Sequence, residues 1–90
     1  MHTRSWHLQI DIFEDDGRTR AETILRTDVG TELRHAGTAR RRPGDAEVPE
    51  IGDELAVCRA LNGLVHDLFD ATLADLDAND PDGTATVRLD

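Results

Sequence analysis

Apolar and polar positions alternate with a period of two from Ser5 to Glu14. Trp6, Leu8, Ile10 and Ile12 fall on one side, and His7, Gln9, Asp11 and Phe13 on the other. That pattern predicts a strand with one buried face. Asp15-Asp16-Gly17 then supplies the short acceptors and the permissive glycine of a tight hairpin. Residues 18–27 return as a second strand, with Ala21, Thr23 and Leu25 inside and Arg18, Arg20, Glu22, Ile24 and Arg26 outside. Asp28-Val29-Gly30-Thr31 makes a second turn, and residues 32–40 a third strand. Its inner set is Leu33, His35, Gly37 and Ala39; its outer set is Glu32, Arg34, Ala36, Thr38 and Arg40. The small Ala21, Gly37 and Ala39 let a helix approach the sheet closely, although Gly37 could equally mark a bulge.

Residues 41–50 carry two prolines, which suit neither a ladder nor a helix interior, and read as a connection. From Ile51 the period becomes helical. Ile51, Leu55, Cys58, Leu61, Val65, Leu68, Phe69, Thr72 and Leu76 fall on one stripe, expected to face the sheet. Ala56, Arg59, Ala60, Gly63, Asp67, Asp70, Ala74 and Asp77 fall opposite, expected to face solvent. Asn79-Asp80-Pro81-Asp82-Gly83 ends the helix, and residues 84–89 are either a short edge strand or a frayed tail. The fold class is therefore α+β: a three-stranded antiparallel sheet packed on one long C-terminal helix. Residues 1–90 form a single domain, with a flexible start at 1–4, a folded core at 5–78 and the tail or edge strand at 79–90.

Composition sharpens this picture in three ways. With only three aromatic residues, the core is small and aliphatic, and association with a second copy is a common remedy for such a thin margin. Residues 1–44 hold eight Arg against seven acids, whereas residues 45–90 hold two Arg against twelve, so the halves carry +1 and −10. No apolar stretch approaches the roughly 18–20 residues of a membrane span, and no apolar signal core follows Arg4, which predicts a cytoplasmic protein.

Candidate chemistry is sparse. His2, His7, His35, His66 and the single Cys58 are the soft ligands, and none forms a close pair of the kind zinc sites use, so neither a metal nor a cofactor is expected. Cys58, on the apolar stripe, is expected to be an inert core thiol. His66 and Asp70 are spaced to pair on the helix surface. No serine has a credible base, no Gly-rich loop precedes a helix, and a sheet with one helix offers little room for a pocket. These features predict a protein that is not an enzyme and takes no small-molecule substrate. The remaining feature is the outer sheet face, where Arg18, Arg20, Arg26, Arg34 and Arg40 lead into Arg41 and Arg42. It is either a platform for phosphate groups or a solvated polar face whose arginines pair with Asp11, Glu22 and Glu32.

The run from Arg40 to Leu61 resembles a small actinobacterial family catalogued as domain of unknown function 1876. The likeness is carried by Ala39-Arg40, by Val48-Pro49-Glu50-Ile51-Gly52-Asp53-Glu54-Leu55-Ala56 and by Arg59-Ala60-Leu61, and more loosely by the Trp6 strand. It implies a fold like the double-stranded-RNA-binding domain without its first helix. It further implies similarity to stress- or dormancy-associated proteins that act like ribosome hibernation factors. That domain grips phosphates with a lysine-rich start of its last helix, whereas Glu50 to Glu54 here holds three acids and no base.

Two readings of function follow. One is a stress or dormancy accessory protein at the ribosome, touching RNA through the arginine face and the Arg40-Arg41-Arg42 corner. The other is a homodimeric interaction module without nucleic-acid binding, motivated by Phe13 and Ile24 on the outer face.

Overall fold

The computed structural model describes residues 1–44, 48–80 and 82–90. Three strands, β1 (His7–Asp15), β2 (Arg18–Arg26) and β3 (Glu32–Arg40), form one antiparallel sheet in the order β1-β2-β3, and one helix, α1 (Pro49–Asn79), follows. Positions 45–47 of the connection and Pro81 of the terminating turn lie outside the described residues.

The turns explain the register. Asp15 pairs with Arg18, leaving Asp16 and Gly17 as a two-residue loop, and both have positive φ (49° and 76°). Such a loop matches the right-handed twist of the flanking strands, and Asp followed by Gly tolerates the left-handed conformation best. The second turn closes through Thr27 N–H to Thr31 O at 3.0 Å and Gly30 N–H to Thr27 O at 3.2 Å. The register then sets Ile12, Ala21 and Gly37 side by side, with Ile10, Thr23 and His35 next to them. Pro49 stands in the first turn of α1, where its missing N–H costs nothing, and Val48 ends the extended chain before it without a side-chain cap. Residues 82–90 contain no strand; Asp80 instead holds them near the helix end by accepting the Ala85 N–H at 2.6 Å.

Of the inner faces the alternation predicts, Ala21, Thr23, Gly37 and Ala39 are buried and Leu25, Leu33 and His35 half-buried; Thr19, two positions before Ala21, is buried as well. The helix is rotated by well over a quarter turn from its expected setting. Its buried residues are Ala56, Ala60 and Leu64, while Ile51, Leu55, Cys58 and Val65 are exposed. The cause is Gly37. A Cβ there would collide with the Ala60 nitrogen and lie 2.5 Å from the Ala56 oxygen, so the helix backbone rests directly on the strand. Only a face of small residues can come that close. Gly63 repeats the device: the His35 ring occupies the space of its absent side chain. From there His35 Nδ1 meets Asp67 Oδ2 at 2.8 Å, so a residue assigned to the solvent side ties the helix to β3. Cys58 is therefore not a core thiol. His66 and Asp70 form no ion pair among the described residues.

A second consequence concerns β1. Seated on Gly37, α1 lies over β3 and β2 and barely meets β1. Leu8, Ile10 and Ile12, on the helix side of the sheet, remain 47%, 38% and 45% exposed. On the opposite face Phe13 is exposed as expected, but Ile24 is buried, flanked by Gln9 and Arg34 across the strands and by Glu22 and Arg26 along its own. Half of the outer-face motive for a dimer is thus removed.

Candidate functional site

Three surfaces could carry function: the outer arginine face, the apolar groove beside β1, and a cleft at the start of α1. The alternation of β2 and β3 positions the arginines. Arg20 Nε bonds Glu22 Oε1 at 3.0 Å, Arg26 Nε bonds Glu32 Oε1 at 3.0 Å, and Arg34 Nη2 bonds Glu32 Oε2 at 3.1 Å. Arg26 also donates to the Gln9 side chain at 3.0 Å. The hydrogen bonds from Arg34 and then Arg26 hold the Glu32 carboxyl below the usual carboxylate range. Asp11 takes its hydrogen bond from Gln9 rather than from an arginine. Arg20, Arg26 and Arg34 thus stand in surface ion pairs, the arrangement of a solvated polar face, and such pairs contribute little stability.

Arg18, Arg40, Arg41 and Arg42 behave differently. Arg18 and Arg40 sit directly opposite each other in the β2–β3 register, two like charges side by side. The Arg41 N–H donates to Gly17 O at 2.8 Å, and its guanidinium lies over Gly17. Arg40, Arg41 and Arg42 all line a cleft of about 470 Å³ between the hairpin end of the sheet and the first turns of α1. Its other walls include Thr19, Val48, Ile51, Gly52, Leu55 and Arg59. The expectation that one sheet and one helix leave little room for a pocket does not hold, because a helix seated on small residues stands off from the sheet where larger ones begin.

The groove beside β1 is lined by Ile12, Val57, Cys58 and Leu61 and by the acids Asp53 and Glu54. Periodicity correctly grouped most of these residues as apolar; what it could not supply was which side of the helix the sheet would take. Among the described residues no group of three His, Cys, Asp or Glu side chains is placed to hold a metal ion, and no helix is long and apolar enough to cross a membrane.

Residues 4–85, nearly the whole described fold, match the Rv2632c-like family. The chain belongs to that family. The uncharacterised protein Rv2632c of Mycobacterium tuberculosis is 44% identical over 73 residues, covering 79% of this chain and 77% of its own length. The uncharacterised protein Mb1767 of Mycobacterium bovis is likewise 44% identical over 73 residues, covering 81% and 77%. The crystal structure of Rv2632c superposes with a TM-score of 0.79 at 38% identity over a longer stretch, 88% of this chain and 93% of that one. The superposition shows that the chain shares its overall fold with Rv2632c. The hibernation and RNA-binding associations drawn from the Val48–Ala56 run find no counterpart in the names of these relatives.

Proposed function

We propose that the protein is a non-catalytic interaction module that works as a homodimer, closed through the apolar surface formed by β1 and the adjoining flank of α1. The observation that carries this reading is the exposed row of Leu8, Ile10 and Ile12 on the helix side of β1, with Ile12 lining a groove together with Val57, Cys58 and Leu61. These side chains offer apolar area on the order of 500 Å² per copy, within the range of a monomer's biggest patch and short of the roughly 800 Å² one partner contributes to a standard interface until a polar rim is added. The need is equally plain: among the described residues, four of the six buried hydrophobic ones are alanines, which bury little area each. A second copy is the occupant that supplies the missing core at every site where the chain is present.

Cys58 gives this surface a reporter. Its thiol should react quickly with a bulky reagent in protein diluted to monomer, and slowly at concentrations where the dimer forms. Equal rates at both would rule out the groove as the interface, and a monomer at high micromolar concentration would point to a different protein as its occupant.

A second reading, a cytoplasmic stress or dormancy accessory at the ribosome, is favoured by the Arg18, Arg40 and Arg41 guanidiniums, which have no ion-pair partner among the described residues. The −10 half of the chain requires that phosphates be met from this corner, with α1 turned away. Association should weaken steeply with salt, as phosphate contacts do. Replacing Arg40, Arg41 and Arg42 together with alanine should abolish co-sedimentation with ribosomes at low salt while leaving the circular dichroism spectrum unchanged. Absence of wild-type co-sedimentation at low salt would end this reading.

A further inference from the structure

We infer that β1 pairs along its free edge with β1 of a second copy, antiparallel and with Gln9 on the two-fold axis, so that two three-stranded sheets become one. This rests on the homodimer reading above and adds which atoms close the dimer and in what register. β1 and β3 are the edges of the sheet. The Asp16-Gly17 turn decides which backbone groups of β1 are already bonded. Asp15 and Arg18, which flank that two-residue loop, exchange hydrogen bonds, and bonded and non-bonded pairs then alternate along the ladder. Asp15, Phe13, Asp11, Gln9 and His7 therefore bond β2, whereas the N–H and C=O groups of Leu8, Ile10, Ile12 and Glu14 point outward. Among the described residues no hydrogen bond reaches those outward groups.

The two edges differ in how they are guarded. By the same alternation Glu32, Arg34, Ala36, Thr38 and Arg40 face outward on β3, and Arg59 Nη1 covers the Thr38 oxygen at 2.7 Å. Charged residues and a covering group are how folds keep an edge from recruiting another strand. On β1 nothing covers the edge, and of its outward residues only Glu14, near the turn, is charged. The strand is nine residues long, holds no proline, lysine or arginine, and keeps one-to-one register with β2 throughout, so no bulge interrupts it. Leu8, Ile10 and Ile12, the exposed apolar row, are the residues whose backbone is free. A long apolar edge of this kind is a template for another strand.

Charge selects the occupant and its direction. The chain enters β1 through Arg4 and His7 and leaves it through Asp11, Glu14, Asp15 and Asp16. An antiparallel second copy sets each basic start against an acidic end, twice over by symmetry. Centred on Gln9, the register opposes His7 to Asp11, Leu8 to Ile10, Trp6 to Ile12 and Arg4 to Glu14, so that charge meets opposite charge and apolar meets apolar. Centred on Ile10, it opposes Trp6 to Glu14 and His7 to Phe13; centred on Asp11, it sets two carboxylates face to face. Trp6 Nε1 already holds the entering chain at the end of β2 by donating to Asp28 Oδ1 at 3.0 Å. Arg4 is free to exchange partners, since its contact with Asp28 is 3.5 Å long and its side chain 77% exposed. Asp53 also awaits a donor: its Oδ1 is buried without a hydrogen-bond partner among the described residues, and Asp53 lines the groove with Ile12, the residue that Trp6 of the second copy meets.

The test compares the intact protein above and below the concentration at which sedimentation equilibrium shows a dimer. Amide hydrogen exchange at Leu8, Ile10 and Ile12 should slow by roughly tenfold or more as the dimer forms, because only then do these N–H groups have acceptors. Gln9 and Asp11, bonded to β2, should stay protected at both concentrations. In a Cys58→Ser background, Gln9→Cys should give a covalent dimer on mild oxidation, since a non-bonded pair on the axis has Cα atoms about 4.5 Å apart, within disulfide range. Phe13→Cys, on the same face but opposite Ser5, should not cross-link. A dimer whose Leu8, Ile10 and Ile12 amides exchange as fast as the monomer's would overturn edge pairing and leave a homodimer closed face to face. Cross-linking through Phe13→Cys but not through Gln9→Cys would overturn the register. A monomer at every concentration would remove both this proposal and the reading it rests on.

Discussion

Replacing Ile12 with aspartate should convert the proposed homodimer into a monomer, weakening self-association by 100-fold or more. Ile12 is 45% exposed in a single copy and lies at the joint between β1 and α1, beside Val57 and Leu61. Because it is not needed inside the monomer's own core, the substitution should leave the fold intact. In the dimer it would bring two carboxylates into an apolar interface, and removing a central anchor typically costs about 2 kcal/mol or more even before charge is added. Phe13→Asp is the control. Phe13 is 54% exposed but points from the opposite face, so its loss should not alter the association constant. Sedimentation equilibrium distinguishes the outcomes. A dimer that survives Ile12→Asp but dissociates on Phe13→Asp would move the interface to the outer face, where the alternation of apolar residues alone first suggested it.

That relocation shows what a single chain's pattern can encode. Period-two alternation determines strand faces because adjacent side chains must point opposite ways, and β2 and β3 follow it at Ala21, Thr23, Gly37 and Ala39, while Ile24 is buried on the outer face. The Asp16-Gly17 turn was equally legible, since few dipeptides accept two consecutive positive φ angles. The helix was legible as a helix, from Pro49 to Asn79, but not in its rotation. Hydrophobicity alone turned Leu55, Cys58, Leu61 and Val65 towards the sheet, on the premise that the apolar stripe is the buried one. Here steric fit overrides area: Gly37 brings the helix backbone so close that Ala56 and Ala60 pack at the contact, with Gly63 making room for the His35 ring and Leu64 buried further along. The same small residues were visible in both elements, and matching small face to small face would have given the observed docking. The apolar stripe is then displaced towards the solvent and towards β1, where it makes the groove. The candidate cleft was half legible. Arg40, Arg41 and Arg42 stood out as a run, but Thr19 and Gly52 lie far apart in sequence and meet only because the helix starts above the β2 end of the sheet.

The docking argument has a sharp consequence at Gly37. Substituting alanine adds one methyl group, ordinarily favourable in a strand because it limits the unfolded chain. At this position the methyl would collide with the Ala60 nitrogen and approach the Ala56 oxygen, both backbone atoms of a 31-residue helix that cannot move singly. The whole of α1 must lift, opening the contact that buries Ala21, Ala39, Ala56 and Ala60 together. Overpacking of this kind costs about 3 kcal/mol, which in a domain of this size lowers the thermal midpoint by roughly 12–24 °C. Gly63→Ala is the graded comparison. Its methyl meets the His35 ring rather than backbone, and the ring can swing away at the loss of its 2.8 Å contact with Asp67. That change should cost only about 1 kcal/mol, the worth of a part-exposed hydrogen bond. Thermal unfolding of both variants at matched protein concentration checks the ranking. Equal midpoints for Gly37→Ala and the wild type would mean that the helix does not rest on β3, and an equal loss in the two variants would mean that side-chain rather than backbone contact limits how closely it can approach.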